Sequence, residues 1–74
     1  MIRLTGARAD VDLVFACFEG GQCAAGRLTD MGLVPGEKLR LLHEPGRGPV
    51  AVVIKGAKVA LGHSLADKIF VEEE

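Results

Sequence analysis

The sequence predicts a mainly β fold, a small barrel of about five short antiparallel strands with one inserted short helix and a helical turn near the C-terminus. Three observations predict it. Short runs of apolar and β-branched residues, punctuated by glycine and proline, recur along the chain as strand candidates. One stretch, ending at Met31, spaces its apolar residues as a helix does over two turns. The chain has 74 residues and is 49% hydrophobic, enough for a single domain, 1–74, built on one core. Five short strands bury little as an open sheet, and closure into a barrel removes their exposed edges.

Val11 to Phe18 is the first strand candidate, and Glu19-Gly20-Gly21 breaks it before the helix. In that helix Ala24, Leu28 and Met31 fall at i, i+4 and i+7, one apolar stripe, with Arg27 and Asp30 facing water. Gly32 provides the left-handed position that only glycine adopts cheaply. Leu33 then stands where a Schellman cap makes its hydrophobic contact, opposite Leu28. Pro35-Gly36 reads as a type II turn, with proline fixing φ at the second position and glycine taking φ > 0 at the third.

Glu37 to His43 is the second strand, with Leu39, Leu41 and His43 on one face and Lys38, Arg40 and Leu42 on the other. Glu44 to Pro49 is a turn-rich loop. Val50 to Lys55 is β-branched and apolar on both faces, which predicts a central strand. Lys55-Gly56-Ala57-Lys58 reverses the chain into Val59-Ala60-Leu61. Ser64 offers a helix N-cap, with Asp67 as a weaker stand-in for the glutamate of a capping box. The turn that follows carries Leu65, Ala66 and Ile69 inward. Phe70-Val71 is the last strand, and Glu72 to Glu74 a solvated, frayed end.

Composition excludes several function classes. The formal net charge is −1, and there is no tryptophan or tyrosine, so neither polyanion binding nor base stacking is favoured; no nucleic-acid partner is expected. The N-terminus has no apolar run, and the longest apolar runs, Leu13 to Phe18 and Val50 to Ile54, are too short to span a bilayer. The expectation is a cytoplasmic protein without direct membrane insertion. Ser64 beside His63 is adjacency in sequence, which does not make a nucleophile–base pair. Gly46 to Pro49 lacks the lysine, hydroxyl and helix of a phosphate-cradling loop. No catalytic residue, enzyme activity or cofactor is therefore expected.

Cys17, in the run LVFACF, reads as a small core residue, and Cys23 stands near the helix start. The metal-ligating candidates are these two cysteines with His43, His63, Glu44 and Asp67. No pair among them has ligand spacing, so no metal site is assigned.

Arg27 to Gly36, RLTDMGLVPG, together with Leu39-Arg40-Leu41-Leu42, Pro45 and Pro49, and the closing pattern Val59-Ala60-Leu61, Ala66, Ile69 and Val71, resembles the FeoA family of small accessory proteins of bacterial ferrous iron transport. The resemblance runs from about Val11 to Val71. It implies an SH3-like barrel with an inserted helix, and a partner, the membrane transporter FeoB with its cytoplasmic GTP-binding domain. Ala7-Arg8-Ala9-Asp10 departs from the proline-glycine pair that family members often carry there. Similar barrels occur in metal-dependent repressors, but this chain has no helix-turn-helix segment.

The reading that follows is a regulatory protein that acts by protein–protein interaction, with Gly32, Leu33, Val34, Pro35 and Gly36 as its candidate partner-binding residues. Leu33 is expected inside the cap and Val34 exposed. The alternative is a metal-sensing or iron-delivering protein. Arg27 or Arg47 could act in trans on a phosphate of the partner, and nothing in the sequence selects between them.

Overall fold

Alternating burial along two strands, Lys38–Leu41 and Val50–Ile54, lines one side of a single sheet with apolar side chains. The computed structural model describes the backbone of residues 1–74 and the side chains of all of them except 22–25. Six strands form a single antiparallel sheet in the order β1-β6-β2-β3-β4-β5. They are β1 (Ile2–Arg3), β2 (Leu13–Phe18), β3 (Lys38–Leu41), β4 (Val50–Ile54), β5 (Ala57–Leu61) and β6 (Ile69–Glu73). A 3-10 turn at Leu4–Gly6 follows β1, helix α1 (Gln22–Asp30) links β2 to β3, and the short α2 (His63–Ala66) precedes β6.

The inward residues form one cluster. Leu13 and Phe15 of β2, Leu39 and Leu41 of β3, Val50, Val52 and Ile54 of β4, and Ile69 and Val71 of β6 are all buried. Leu4, Leu28, Leu33, Leu61 and Ala66 join them from the connections and strand ends. No buried residue is polar among those described, so the core rests on apolar burial alone. β4 lies inside the sheet between β3 and β5, as its two apolar faces predict. The chain reverses between β4 and β5 through Lys55 (φ +53°) and Gly56 (φ +79°), the two positive φ values of a type I′ hairpin.

Several expectations are corrected. The first strand is not the one expected from Val11: Ile2 pairs with Val71 and Arg3 with Phe70, so β1 adds a sixth strand to the five expected. β2 begins at Leu13 rather than Val11, and β3 ends at Leu41, leaving His43 exposed beyond it. Glu72 and Glu73 do not fray but pair with Val14 and Leu13.

Ser64 is not the cap of α2. Gly62 is, and no side chain caps it. The Asp67 carboxylate instead accepts from the Thr5 hydroxyl at 3.0 Å and the Arg3 guanidinium at 3.3 Å, which pins the first turn. Cys17 is half-buried, not a core residue. Cys23, and Ala24 of the predicted helical stripe, lie outside the residues whose side chains are described. The two end strands, β1 and β5, do not pair with each other.

Candidate functional site

The site is built where α1 ends. Among the described residues of the helical stripe, Leu28 is buried at the core and Met31 packs against its margin. The helix stops because Gly32 takes φ +90°. Its N–H donates to the Thr29 carbonyl at 2.9 Å and the Leu33 N–H donates to the Leu28 carbonyl at 2.8 Å. These are the two bonds of a Schellman cap, and Leu28 and Leu33 are its buried hydrophobic pair. The Glu37 N–H then donates to the Val34 carbonyl at 2.9 Å across a turn with Gly36 at φ +92°, the type II geometry that Pro35-Gly36 predicts.

Two further bonds hold this turn against the sheet. The Gly36 N–H donates to the Phe15 carbonyl and the Phe15 N–H donates to the Glu37 carbonyl, both at 2.9 Å. From the other side, the Lys55 stem lies over Gly32, where an added Cβ would sit 3.4 Å from Lys55 Cδ. The Lys55 ammonium is 3.8 Å from the Glu37 carboxylate. The consequence is a fixed platform: Leu33 is 1% exposed and Val34 38%, with Pro35 and Gly36 exposed beside it.

Beside the platform is a recess that the sequence reading missed. A cavity of about 260 Å³ opens between β2 and the cap, walled by Phe15, Ala16, Cys17 and Phe18 on one side and Leu28, Thr29, Leu33 and Pro35 on the other. A β-bulge creates the β2 wall. Phe15 faces Val71 and Cys17 faces Phe70, so Ala16 is the extra residue. Strict alternation ends there, and Ala16, Cys17 and Phe18 are all half-buried. The Phe18 ring then swings over Gly20, where a Cβ would lie 2.2 Å from ring carbons. Gly20 was visible in the sequence as a strand breaker; its close approach to Phe18 was not. The recess lies just below the size range of typical ligand pockets, and its lining is mainly apolar.

Among the described residues the metal-ligating candidates are not brought together as one set. The Glu44 carboxylate accepts from the Ala9 N–H at 3.4 Å, Asp67 is held by Arg3 and Thr5, and His43 Nδ1 lies 3.1 Å from the Glu44 carbonyl. The Cys17 thiol lies 3.7 Å from the Met1 sulfur. Among the described residues no group of three His, Cys, Asp or Glu is arranged to hold a metal ion. No helix is long and apolar enough to cross a membrane among those described.

A second recess of about 260 Å³ lies over the outer face of β3, lined by Asp12, Glu37, Lys38, Arg40 and Lys55. Arg40 donates its Nε–H to Asp12 at 3.1 Å and its terminal nitrogen bonds the same carboxylate oxygen. That hydrogen bond and the Asp12 charge hold the Arg40 guanidinium above its ordinary pKa. Lys38 pairs with Glu74 at 3.1 Å.

Comparison with known proteins agrees with the fold. The FeoA domain family matches residues 6–73. The chain is 34% identical over 73 residues to the Fe(2+) transport protein A of Methanocaldococcus jannaschii, covering 99% of this chain and 88% of that protein. Among solved structures, the iron uptake regulatory protein FeoA superposes with a TM-score of 0.88 at 26% identity, over 99% of this chain and 97% of that one. The repressor ScaR with bound Zn²⁺ contains the same fold over 100% of this chain and 37% of its own, with a TM-score of 0.87. At 21% identity that last likeness is one of fold alone.

Proposed function

The chain belongs to the FeoA family of ferrous iron transport, and from that premise we propose that it is a cytoplasmic regulatory protein that binds the cytoplasmic region of a FeoB-type transporter. Residues 1–74 act as one domain, and the contact is the platform at the end of α1. Val34, Pro35 and Gly36 meet the partner, Gly32 and Leu33 hold them in position, and the neighbouring recess receives an apolar side chain. The observation that carries this reading is Val34, an aliphatic side chain 38% exposed on a turn whose backbone is bonded on both sides. A rigid apolar projection loses little conformational freedom on binding.

The test separates fold from contact. Val34→Asp is expected to leave the circular-dichroism melt within the small range of surface substitutions. It should weaken binding to the isolated cytoplasmic region of the transporter about tenfold or more, the scale of an interface hot spot. An unchanged affinity with an unchanged melt removes the platform as the contact.

A further inference from the structure

β5 is an edge strand, bonded to β4 alone. The two-residue loop Lys55-Gly56 makes Ile54 and Ala57 the hydrogen-bonded pair that closes the hairpin. Hydrogen-bonded pairs alternate in an antiparallel ladder, so Val52–Val59 and Val50–Leu61 are bonded pairs too. The backbone N–H and C=O groups of Lys58 and Ala60 therefore point away from the sheet. The strand has no bulge and no proline, and small Ala60 leaves the edge open to another backbone.

Charge decides what fits this edge. On the same outer face Lys38 and Arg40 are paired with Glu74 and Asp12, and Lys55 with Glu37. Lys58, which faces Val53 across the ladder, has no carboxylate within ion-pair distance among the described residues. A lysine on an edge blunts pairing with strands in general, and an acidic residue directly opposite it is the cross-strand partner that offsets this. The chain's own terminal strands, β1 and β6, are committed at the far side of the sheet.

We propose that β5 is a second docking site, separate from the Val34 platform, where an extended segment of a partner protein adds antiparallel to the sheet with an acidic residue opposite Lys58. Its backbone would bond the outward groups of Lys58 and Ala60, and an apolar residue would lie opposite Val59. This is strand addition, in which main-chain bonds provide affinity and alternate side chains provide specificity.

The test uses the whole chain and two synthetic capped peptides, Val-Thr-Val-Glu-Val and Val-Thr-Val-Lys-Val, followed by amide NMR. The glutamate peptide is expected to shift and protect the amides of Lys58 and Ala60, and to bind about fivefold more tightly than the lysine peptide. Lys58→Glu should reverse that preference. Ala60→Pro removes an outward donor that the ladder does not use and should abolish binding with the β4–β5 amides otherwise in place. Val34→Asp should leave peptide binding unchanged. Equal affinity for both peptides, or no shift at Lys58 and Ala60 with millimolar peptide, overturns the proposal. Concentration-dependent β5 shifts without peptide overturn it as well, by assigning the edge to a second copy of the chain.

Discussion

Two recesses of the same volume, about 260 Å³ each, differ in what their walls have left to offer. Over β3 the walls are charged, and the charges are matched within the chain: Arg40 with Asp12, Lys38 with Glu74, Lys55 with Glu37. A ligand there must compete with partners already in place. Beside the helix cap the walls are mainly apolar, exposed Pro35 is one of them, and exposed Val34 precedes it in the chain. Size does not separate the two sites. Apolar surface left facing water does, because covering it is favourable without breaking an existing bond.

Substitutions can break or sharpen this contrast, and the largest effect is expected beneath the apolar recess. Leu33→Ala empties a side chain that is 1% exposed and should lower unfolding stability by about 3 kcal/mol in a denaturant titration. A small loss would mean that the cap does not hold the recess wall. Gly36→Val places a β-branched residue at φ +92° and should cost about 2 kcal/mol, read as a lower melting temperature. An added Cβ there meets nothing within 4 Å, so the loss would report backbone strain rather than a clash.

Lys55→Asn is expected to change little. Asparagine suits the first positive-φ position of a type I′ turn, but it removes the Lys55 stem over Gly32 and the pair with Glu37, so stability should stay within about 0.5 kcal/mol by the same titration. The smallest effect is expected in the charged recess. Asp12→Asn frees Arg40, yet both side chains are at least half exposed, so the melt should hold its position at low and high salt. A clear downward shift would make that recess a structural element, and the contrast with the apolar one would narrow.

The segment Gly32–Gly36 was legible in the sequence to the level of its hydrogen bonds, because each residue there answers a local demand. Gly32 ends a helix, Leu33 closes its cap, Pro35 sets one φ and Gly36 takes the opposite sign. The two faces of β3 were equally legible from alternation, whereas β4, apolar at every position, showed only that it is an inner strand. What was misread depends on residues far apart in the chain. Asp67 resembles a capping partner for Ser64 until Arg3 and Thr5 arrive from the other end. Glu72 and Glu73 resemble a solvated tail until β2 offers them a ladder. The bulge at Ala16 left no local signal, because LVFACF is apolar at every position and so fits either register.

By itself the sequence determined the mainly β class, the helix with its cap and turn, and a few core positions, Leu28, Leu33, Ala66 and Ile69. Each of these follows from side-chain periodicity or from a backbone angle that only glycine or proline satisfies, and both act within a few residues. The tertiary structure alone decided that β1 exists, that the C-terminal strand is long, that β5 is left at an edge, and that a recess opens beside the cap. Strand pairing joins residues more than 60 positions apart, as between Ile2 and Val71. Which pairs form depends on the burial that the whole sheet achieves, and no local pattern carries that information.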